Sequence, residues 1–416
     1  MAQYSRYDYV RRRGQTLLSF FTDMGPGFLV TIGFIDPGNI AANVVAGATF
    51  GYSLLWVVPL GTLILVLFQE MAARLGVVSK ACLSEAVCPL VGPVGGAPLG
   101  VLAFAGSAST VLAELLGAAV GLNLLFGLPL VVGGALTAIV VGAVIWSQEY
   151  HHVEDLIVAM VGLIGLAYLA ELFMAKPAWG QVAEALVVPH LSHANAYMAI
   201  SVLGAIVMPS NLYLHSAIAQ TRDWSGERIR HEFFDTTVSM IVGGVINAAI
   251  IVVAAAVFYT RGIQVSGLEQ AAATLEPIAG SMARVVFAVA LVLAGLASAI
   301  TGSMAGSYAV GGFFRLWRRN GGWHHEKWPF RLGFLAVLVV AVAALFFVSN
   351  PLTAMVFSQA ILGVLLPFTI IPLLILTGRK TVMGEWANPP VVQALGWVIA
   401  GVVIALNGYL VYTIVR

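Results

Sequence analysis

Long apolar segments, separated by short polar connections, recur along the whole chain. Each is about twenty residues long, the length that an α-helix needs to cross the hydrocarbon core of a bilayer. The segments predict eleven membrane-spanning helices, at 25–47, 52–73, 97–122, 128–147, 154–174, 195–219, 235–259, 281–312, 331–349, 353–377 and 391–413. The segments do not alternate as the strands of a transmembrane barrel do, and they are about twice as long as such strands. The pattern therefore predicts an all-α polytopic membrane protein.

Composition and charge support this prediction. Of 416 residues, 60% are hydrophobic and 9% are charged, which excludes an ordinary soluble domain. A net charge of +1 argues against nucleic-acid binding. If the N-terminus is cytoplasmic, sixteen of the twenty Lys and Arg residues fall on the cytoplasmic side. We therefore expect a multi-pass protein of the cell inner (plasma) membrane, with its N-terminus cytoplasmic and its C-terminus outside.

The first predicted span is interrupted in its middle by Asp36, Pro37, Gly38 and Asn39. Pro37 cannot donate a helical hydrogen bond, and Gly38 weakens the helix that remains. An ionisable residue within a membrane span is expensive to bury and marks a candidate functional site. The segment predicts a helix that is broken at mid-membrane and exposes carbonyl groups beside a carboxylate, as a cation site requires.

The sixth span carries a second interruption of the same form. Met208-Pro209-Ser210-Asn211 repeats the order X-Pro-small-Asn of the first break. Matching interruptions in the two halves of a membrane protein indicate a transporter built from inverted repeats, with its site at the midplane. Because each half has five spans, the halves must be oppositely oriented.

This reasoning divides the chain into four parts. They are a cytoplasmic N-terminal segment (1–24), a first inverted repeat (25–174), a second inverted repeat (195–377) and an eleventh span (391–413).

Together the two breaks offer a distinctive set of metal ligands. Asp36 supplies a carboxylate, Asn39 a side-chain oxygen and Met208 a thioether, and backbone carbonyls are freed near Ala205 and Asp36. Oxygen ligands alone would suit sodium, magnesium or calcium. A sulfur ligand shifts the preference toward manganese, iron, cobalt or cadmium. The residues predict a site for a divalent transition metal.

Several further motifs resemble those of one transporter family, the Nramp (natural resistance-associated macrophage protein) family of divalent-metal transporters. The resemblance covers spans 1 to 10 in order. Besides the two breaks, it rests on Leu203–Met208, Asn211–Ser216, Leu112-Ala113-Glu114, Gly117-Ala118-Ala119, Asn123–Gly127, Ser358-Gln359 and Leu366-Pro367-Phe368.

The resemblance implies a leucine-transporter fold with broken helices 1 and 6, and import of manganese or iron, usually with protons. It also implies roles for individual residues. The implied metal ligands are Asp36, Asn39, Met208, the carbonyl of Ala205 and, in the closed state, Gln359, and the implied proton-route residues are Glu114 and His215.

The chain departs from the family pattern at four positions. Ser210 stands where His is common, Val111 and Gly311 stand where acidic residues are common, and an Arg pair is reduced to Phe330-Arg331. These changes weaken the case for proton coupling more than the case for metal binding. For Arg331 two roles stay open: it is either a member of the proton route or a structural ion-pair partner of Glu114.

The sequence predicts a monomeric secondary transporter that imports divalent metal ions, manganese first and iron second, by alternating access. Protons remain a second candidate substrate. No catalytic motif stands out, so neither enzyme activity nor a resident cofactor is expected. The alternatives are an uncoupled Nramp-related magnesium carrier and a sodium-coupled transporter of organic solutes.

Overall fold

The fold is described from a computed structural model, which covers residues 36–147, 162, 165–221, 226–275, 280–314 and 327–415. The predicted N-terminal segment 1–24, the beginning of the first span (25–35) and most of the beginning of the fifth span (154–164) lie outside the described residues. Within the described ranges, every regular element is a helix.

The helices of the first half follow the predicted spans, with one additional short surface helix. In chain order they are α1 (Pro37–Phe50), α2 (Val57–Ser79), α3 (Leu83–Phe126), α4 (Leu130–Ser147), α5 (Gly165–Met174) and α6 (Trp179–Val187).

The second half begins with a span that is divided in two. Its helices are α7 (Ala196–Val207), α8 (Pro209–Ala219), α9 (Gly226–Val257), α10 (Ala283–Phe313), α11 (Lys327–Leu345), α12 (Pro351–Thr377), α13 (Lys380–Met383) and α14 (Pro390–Val415).

Eight helical segments of the described chain are long and apolar enough to cross a membrane. Each lies on a predicted span, and α7 and α8 together form one of them. The all-α polytopic architecture is therefore confirmed. The count of eleven spans and the division into two repeats stay predictions.

Buried apolar side chains form two large clusters, and the two breaks belong to different ones. Ile40 and Val44 of α1 pack in a cluster with side chains of α3, α9, α10 and α11. Val207 and Met208 pack in a second cluster with side chains of α2 and α12. The region between the breaks therefore lies between the two clusters, which share helices such as α1, α9 and α12.

Candidate metal site

At the first break, the side chain of Asp36 caps the N-terminus of α1. Its backbone is extended (φ −100°, ψ 164°), and its Oδ1 accepts a hydrogen bond from the backbone N–H of Asn39 at 2.6 Å. Pro37 follows at the first helical position, where an N–H needs no partner. Asp36 is fully buried, and its Oδ2 has no hydrogen-bond donor among the described residues. That oxygen is available to a cation.

The second break lies between α7 and α8. Met208 has a positive φ of 42° and separates the two helices, with no side-chain cap on either. In an unbroken helix the N–H of residue 209 would bond to the carbonyl of Ala205, but Pro209 has no N–H. The nearby Nδ2 of Asn211 lies 3.7 Å from the Met208 sulfur and donates to it. The negative end of the α7 dipole and the freed carbonyl both favour a cation here.

The fold brings the two breaks into contact. The side-chain Nδ2 of Asn39 donates to the carbonyl oxygen of Ala205 at 3.2 Å, across 166 residues of sequence. Both residues are fully buried, as is Met208 at 1% exposure. Four of the predicted metal ligands therefore lie on two helix ends that touch each other.

Gln359 of α12 packs against the first turn of α1. A Cβ atom added at Gly38 would lie 2.0 Å from its Nε2, so only glycine allows this approach. The Gln359 side chain is fully buried, and neither of its amide atoms has a hydrogen-bond partner in the described structure. The structure therefore places Gln359 beside the first break with an amide oxygen that is not engaged elsewhere.

Glu114 of α3 is the nearest second carboxyl group. It is fully buried, and the Asp36 carboxyl is its polar neighbour. Gly117, three residues further along α3, makes this approach possible, because a Cβ there would lie 2.0 Å from the Cβ of Pro37. Two neighbouring carboxylates in an apolar environment repel each other unless a proton or a cation lies between them.

His215 of α8 is linked to a residue that sequence reasoning did not single out. Its Nδ1 lies 2.8 Å from Oε1 of Gln69 on α2, and both side chains are fully buried. Ser210, which replaces the histidine common in the family, is 3% exposed, and its hydroxyl has no partner in the described ranges. Sequence reasoning could have found Gln69 as a polar side chain within an apolar span.

Arg331 contacts an aromatic side chain. Its guanidinium stacks over the indole of Trp146 at 4.5 Å from the ring centroid, and Trp146 meets Trp328 edge to face. An ion pair with Glu114, one of the two roles left open for Arg331, is absent among the described residues, and the Trp146 indole holds the guanidinium instead. The role of Arg331 in a proton route stays a prediction.

Two further amides, which the sequence analysis missed, support Asn39. The Nδ2 of Asn43 donates both to Oδ1 of Asn39 and to Oδ1 of Asn247 on α9, the latter at 2.9 Å. Asn43 lies one helical turn after Asn39, a spacing that places both on one face of α1. The sequence signal that could have identified Asn43 is this second carboxamide one helical turn after the first.

Two touching helix breaks, lined with buried oxygen and sulfur atoms, define an integral membrane transporter with the leucine-transporter fold. A structure of a nucleobase-cation-symport-1 family transporter shares this fold, with a TM-score of 0.58 at 13% identity over 94% of this chain and 93% of that one.

The family model described as natural resistance-associated macrophage protein-like matches residues 27–413, and the chain belongs to this Nramp family. A divalent metal cation transporter MntH of Brucella suis is 38% identical, covering 99% of this chain and 92% of the relative. The MntH of Caldanaerobacter subterraneus is 35% identical, covering 96% and 94%. A crystal structure of the Eremococcus coleocola manganese transporter matches with a TM-score of 0.78 at 27% identity, covering 95% of this chain and 88% of that one. The family assignment agrees with a transporter rather than an enzyme.

Proposed function

We propose that this protein is a secondary transporter that imports divalent transition-metal ions, manganese first and iron second, by alternating access. The observation that carries the proposal is the contact between the two breaks. There, the Asp36 carboxylate oxygen without a donor, the carbonyl of Ala205 and the thioether of Met208 are all buried. The relatives named as divalent metal cation and manganese transporters support the same substrate class.

The ligand set carries charge, oxygen and sulfur in proportions that suit a borderline transition metal. Asp36 supplies the charge that compensates a buried cation, and the neutral amides of Asn39 and Gln359 supply further oxygens. Met208 adds a soft ligand, which hydrated magnesium does not favour. In alternating access, a relative movement of the two breaks would open the site to one side of the membrane.

Inward transport of a divalent ion does not require a proton. An inside-negative membrane potential contributes about 2.3 kcal/mol per charge per 100 mV, which doubles for a divalent cation. Proton coupling is therefore a separate question, and it rests on Glu114 and His215 since Val111 and Ser210 cannot titrate. We propose that the protein works as a monomer in the inner membrane, with its N-terminus cytoplasmic.

The test is manganese uptake into proteoliposomes that contain a pH dye, with and without an imposed pH gradient, for the wild type and for Asp36→Ala. We expect uptake by the wild type and none by the variant. Acidification of the lumen during uptake would indicate proton coupling, and uptake without acidification would indicate a metal uniporter. If manganese does not enter, or enters equally well in the variant, the proposal is wrong.

A magnesium carrier of the Nramp-related kind is the main alternative, and Met208 separates the two. In Met208→Ala, a manganese transporter should lose about tenfold of its preference for manganese over magnesium, since the proposed sulfur ligand is gone. A magnesium carrier should show no change. Met240→Ala, at a fully buried methionine of α9, is the control for loss of packing.

A sodium-coupled carrier of organic solutes is less well supported. Gln359 lies so close to α1 that a methyl group at Gly38 would overlap it, which leaves little room for an organic substrate. The Asp36 carboxylate would also repel the carboxylate of an amino acid. Competition between a labelled amino acid and manganese tests this alternative, and we expect none.

A further inference from the structure

Three side-chain amides form a continuous chain from the candidate site to α9. Asn39, Asn43 and Asn247 are all at most 2% exposed. Asn43 uses its Nδ2 group for both neighbours, donating to Oδ1 of Asn39 and to Oδ1 of Asn247. The oxygen of Asn43 has no donor within the described residues. The chain of hydrogen bonds therefore has one definite polarity.

This polarity is the one that a site without metal requires. The carbonyl of Ala205 can only accept, so in the absence of a cation it takes the N–H of Asn39. The oxygen of Asn39 then points away from Ala205 and toward Asn43. In this orientation the two oxygens cannot coordinate one ion together.

Rotation of the Asn39 amide by half a turn would create a pair of neighbouring oxygen ligands for a metal ion. It would place the oxygen where Nδ2 now lies, 3.2 Å from the carbonyl oxygen of Ala205. Adjacent oxygen ligands of an octahedral ion with bonds of about 2.2 Å are about 3.1 Å apart. The rotated amide and the carbonyl therefore have the spacing of two neighbouring ligands.

The rotation cannot stop at Asn39. Once its N–H faces Asn43, Asn43 must present an oxygen, and its own oxygen is the acceptor that now lacks a donor. Asn247 must then donate to that oxygen instead of accepting from Asn43. All three amides can reverse because each carries both a donor and an acceptor.

We propose that Asn43 and Asn247 are positioning residues in an amide relay that reverses its polarity when a divalent cation binds between Asn39 and Ala205. The relay connects the occupancy of the site to α9, which contributes no ligand. The inference rests on the proposed function, because it needs a divalent cation at the two breaks.

The test measures manganese affinity of the purified full-length protein by isothermal titration calorimetry at pH 8. Because burial raises the pKa of a carboxyl group, the infrared carboxylate band first establishes that the new side chain of Asn247→Asp is ionised. A carboxylate in Asn247→Asp only accepts, so it holds the polarity of the empty site, and we expect affinity to fall about tenfold. An added negative charge without a relay would raise affinity instead. The side chain of Asn247→Leu can neither accept a hydrogen bond from Asn43 nor donate one to it, so it favours neither polarity. We therefore expect a smaller loss of about threefold, and Asn247→Gln, which keeps an amide, should restore part of it.

Thr137→Val is the control, because Thr137 is buried in α4 and bonds only within its own helix in the described structure. Its affinity should equal that of the wild type, and the unfolding temperatures of the Asn247 variants should match its own. Affinity of Asn247→Asp equal to or above the wild type would overturn the relay. If Asn247→Asp does not fold, equal affinities of Asn247→Leu and the wild type would overturn it.

Asp36→Ala separates the relay from the function it depends on. If the wild type binds manganese and Asp36→Ala does not, while Asn247→Asp and Asn247→Leu bind as the wild type does, the relay is wrong and the metal site stands. If the wild type binds no manganese, both proposals fall.

Discussion

The two helix breaks share the sequence form X-Pro-small-Asn but differ in how they are closed. At the first break, the Asp36 side chain accepts the N–H of Asn39 and caps α1. At the second, Met208 takes a left-handed backbone conformation and its side chain caps neither helix. The difference follows from the residue before each proline, because a carboxylate can accept a backbone N–H and a thioether accepts only weakly.

In our proposal, this difference gives the two breaks separate tasks. The first break contributes the charge that a buried cation needs. The second contributes a carbonyl, freed because Pro209 cannot donate, and the Met208 sulfur atom. Asn39 joins them, since its amide satisfies the Ala205 carbonyl that Pro209 leaves without a helical donor. In our proposal, affinity therefore depends mainly on the first break and selectivity mainly on the second.

The largest expected effect follows from removing the charge of the first break. Asp36→Asn keeps the shape of the side chain, and we expect manganese uptake at limiting concentration to fall about a hundredfold, or ~3 kcal/mol. Uptake of radioactive manganese into proteoliposomes measures it. The same carboxyl-to-amide change in Glu184→Gln, on the exposed face of α6, should have no effect. Equal losses in the two variants would show that the charge of Asp36 has no special role.

A smaller effect is expected from the prolines, and it should differ between the breaks. Pro209→Ala supplies an N–H that can bond to the carbonyl of Ala205 and so compete with the metal. We expect the dissociation constant for manganese to rise about tenfold. Pro37→Ala adds an N–H at the first helical position, where no partner is needed, and should change the constant less than about threefold. Metal titration of both variants measures the contrast, and a greater loss in Pro37→Ala would contradict it.

The third expected effect concerns folding stability rather than metal affinity, in the packing behind the first break. In Gly117→Ala the new methyl group would meet Pro37, and overpacking of this kind typically destabilises by about 1–3 kcal/mol. Gly401→Ala on α14 is the matched control, since nothing lies within 4 Å of its added Cβ. Thermal unfolding in detergent should separate the two, with a lower midpoint only for Gly117→Ala. Equal midpoints would show that α3 can move away from Pro37 at little cost.

The local features of the site could be predicted because they depend on neighbouring residues. A proline in an apolar span frees the carbonyl four residues earlier, and the Asp before Pro37 can cap the helix that follows. The ion pair between Glu70 and Arg74 on α2, at 3.1 Å, likewise joins residues one helical turn apart. None of these features needs information about which helices are neighbours.

Contacts between distant segments could not be predicted in this way. The pairing of Arg331 with Glu114 was considered because both are charged residues of membrane spans, yet Trp146 of α4 takes the guanidinium. The bond between Gln69 and His215 joins residues 146 positions apart. Such partners depend on helix rotation and on which helices pack together, and a single sequence does not specify either.

The sequence by itself determined the all-helical membrane architecture, the two breaks and the kinds of side chain they carry, because hydrophobic length and proline chemistry act within one segment. Only the tertiary structure decided that Asn39 meets Ala205, that Gln359 lies against Gly38, and that Asn43 connects the site to Asn247. These contacts exist because glycines let the helices approach closely and because buried amides must find partners where the packing brings them.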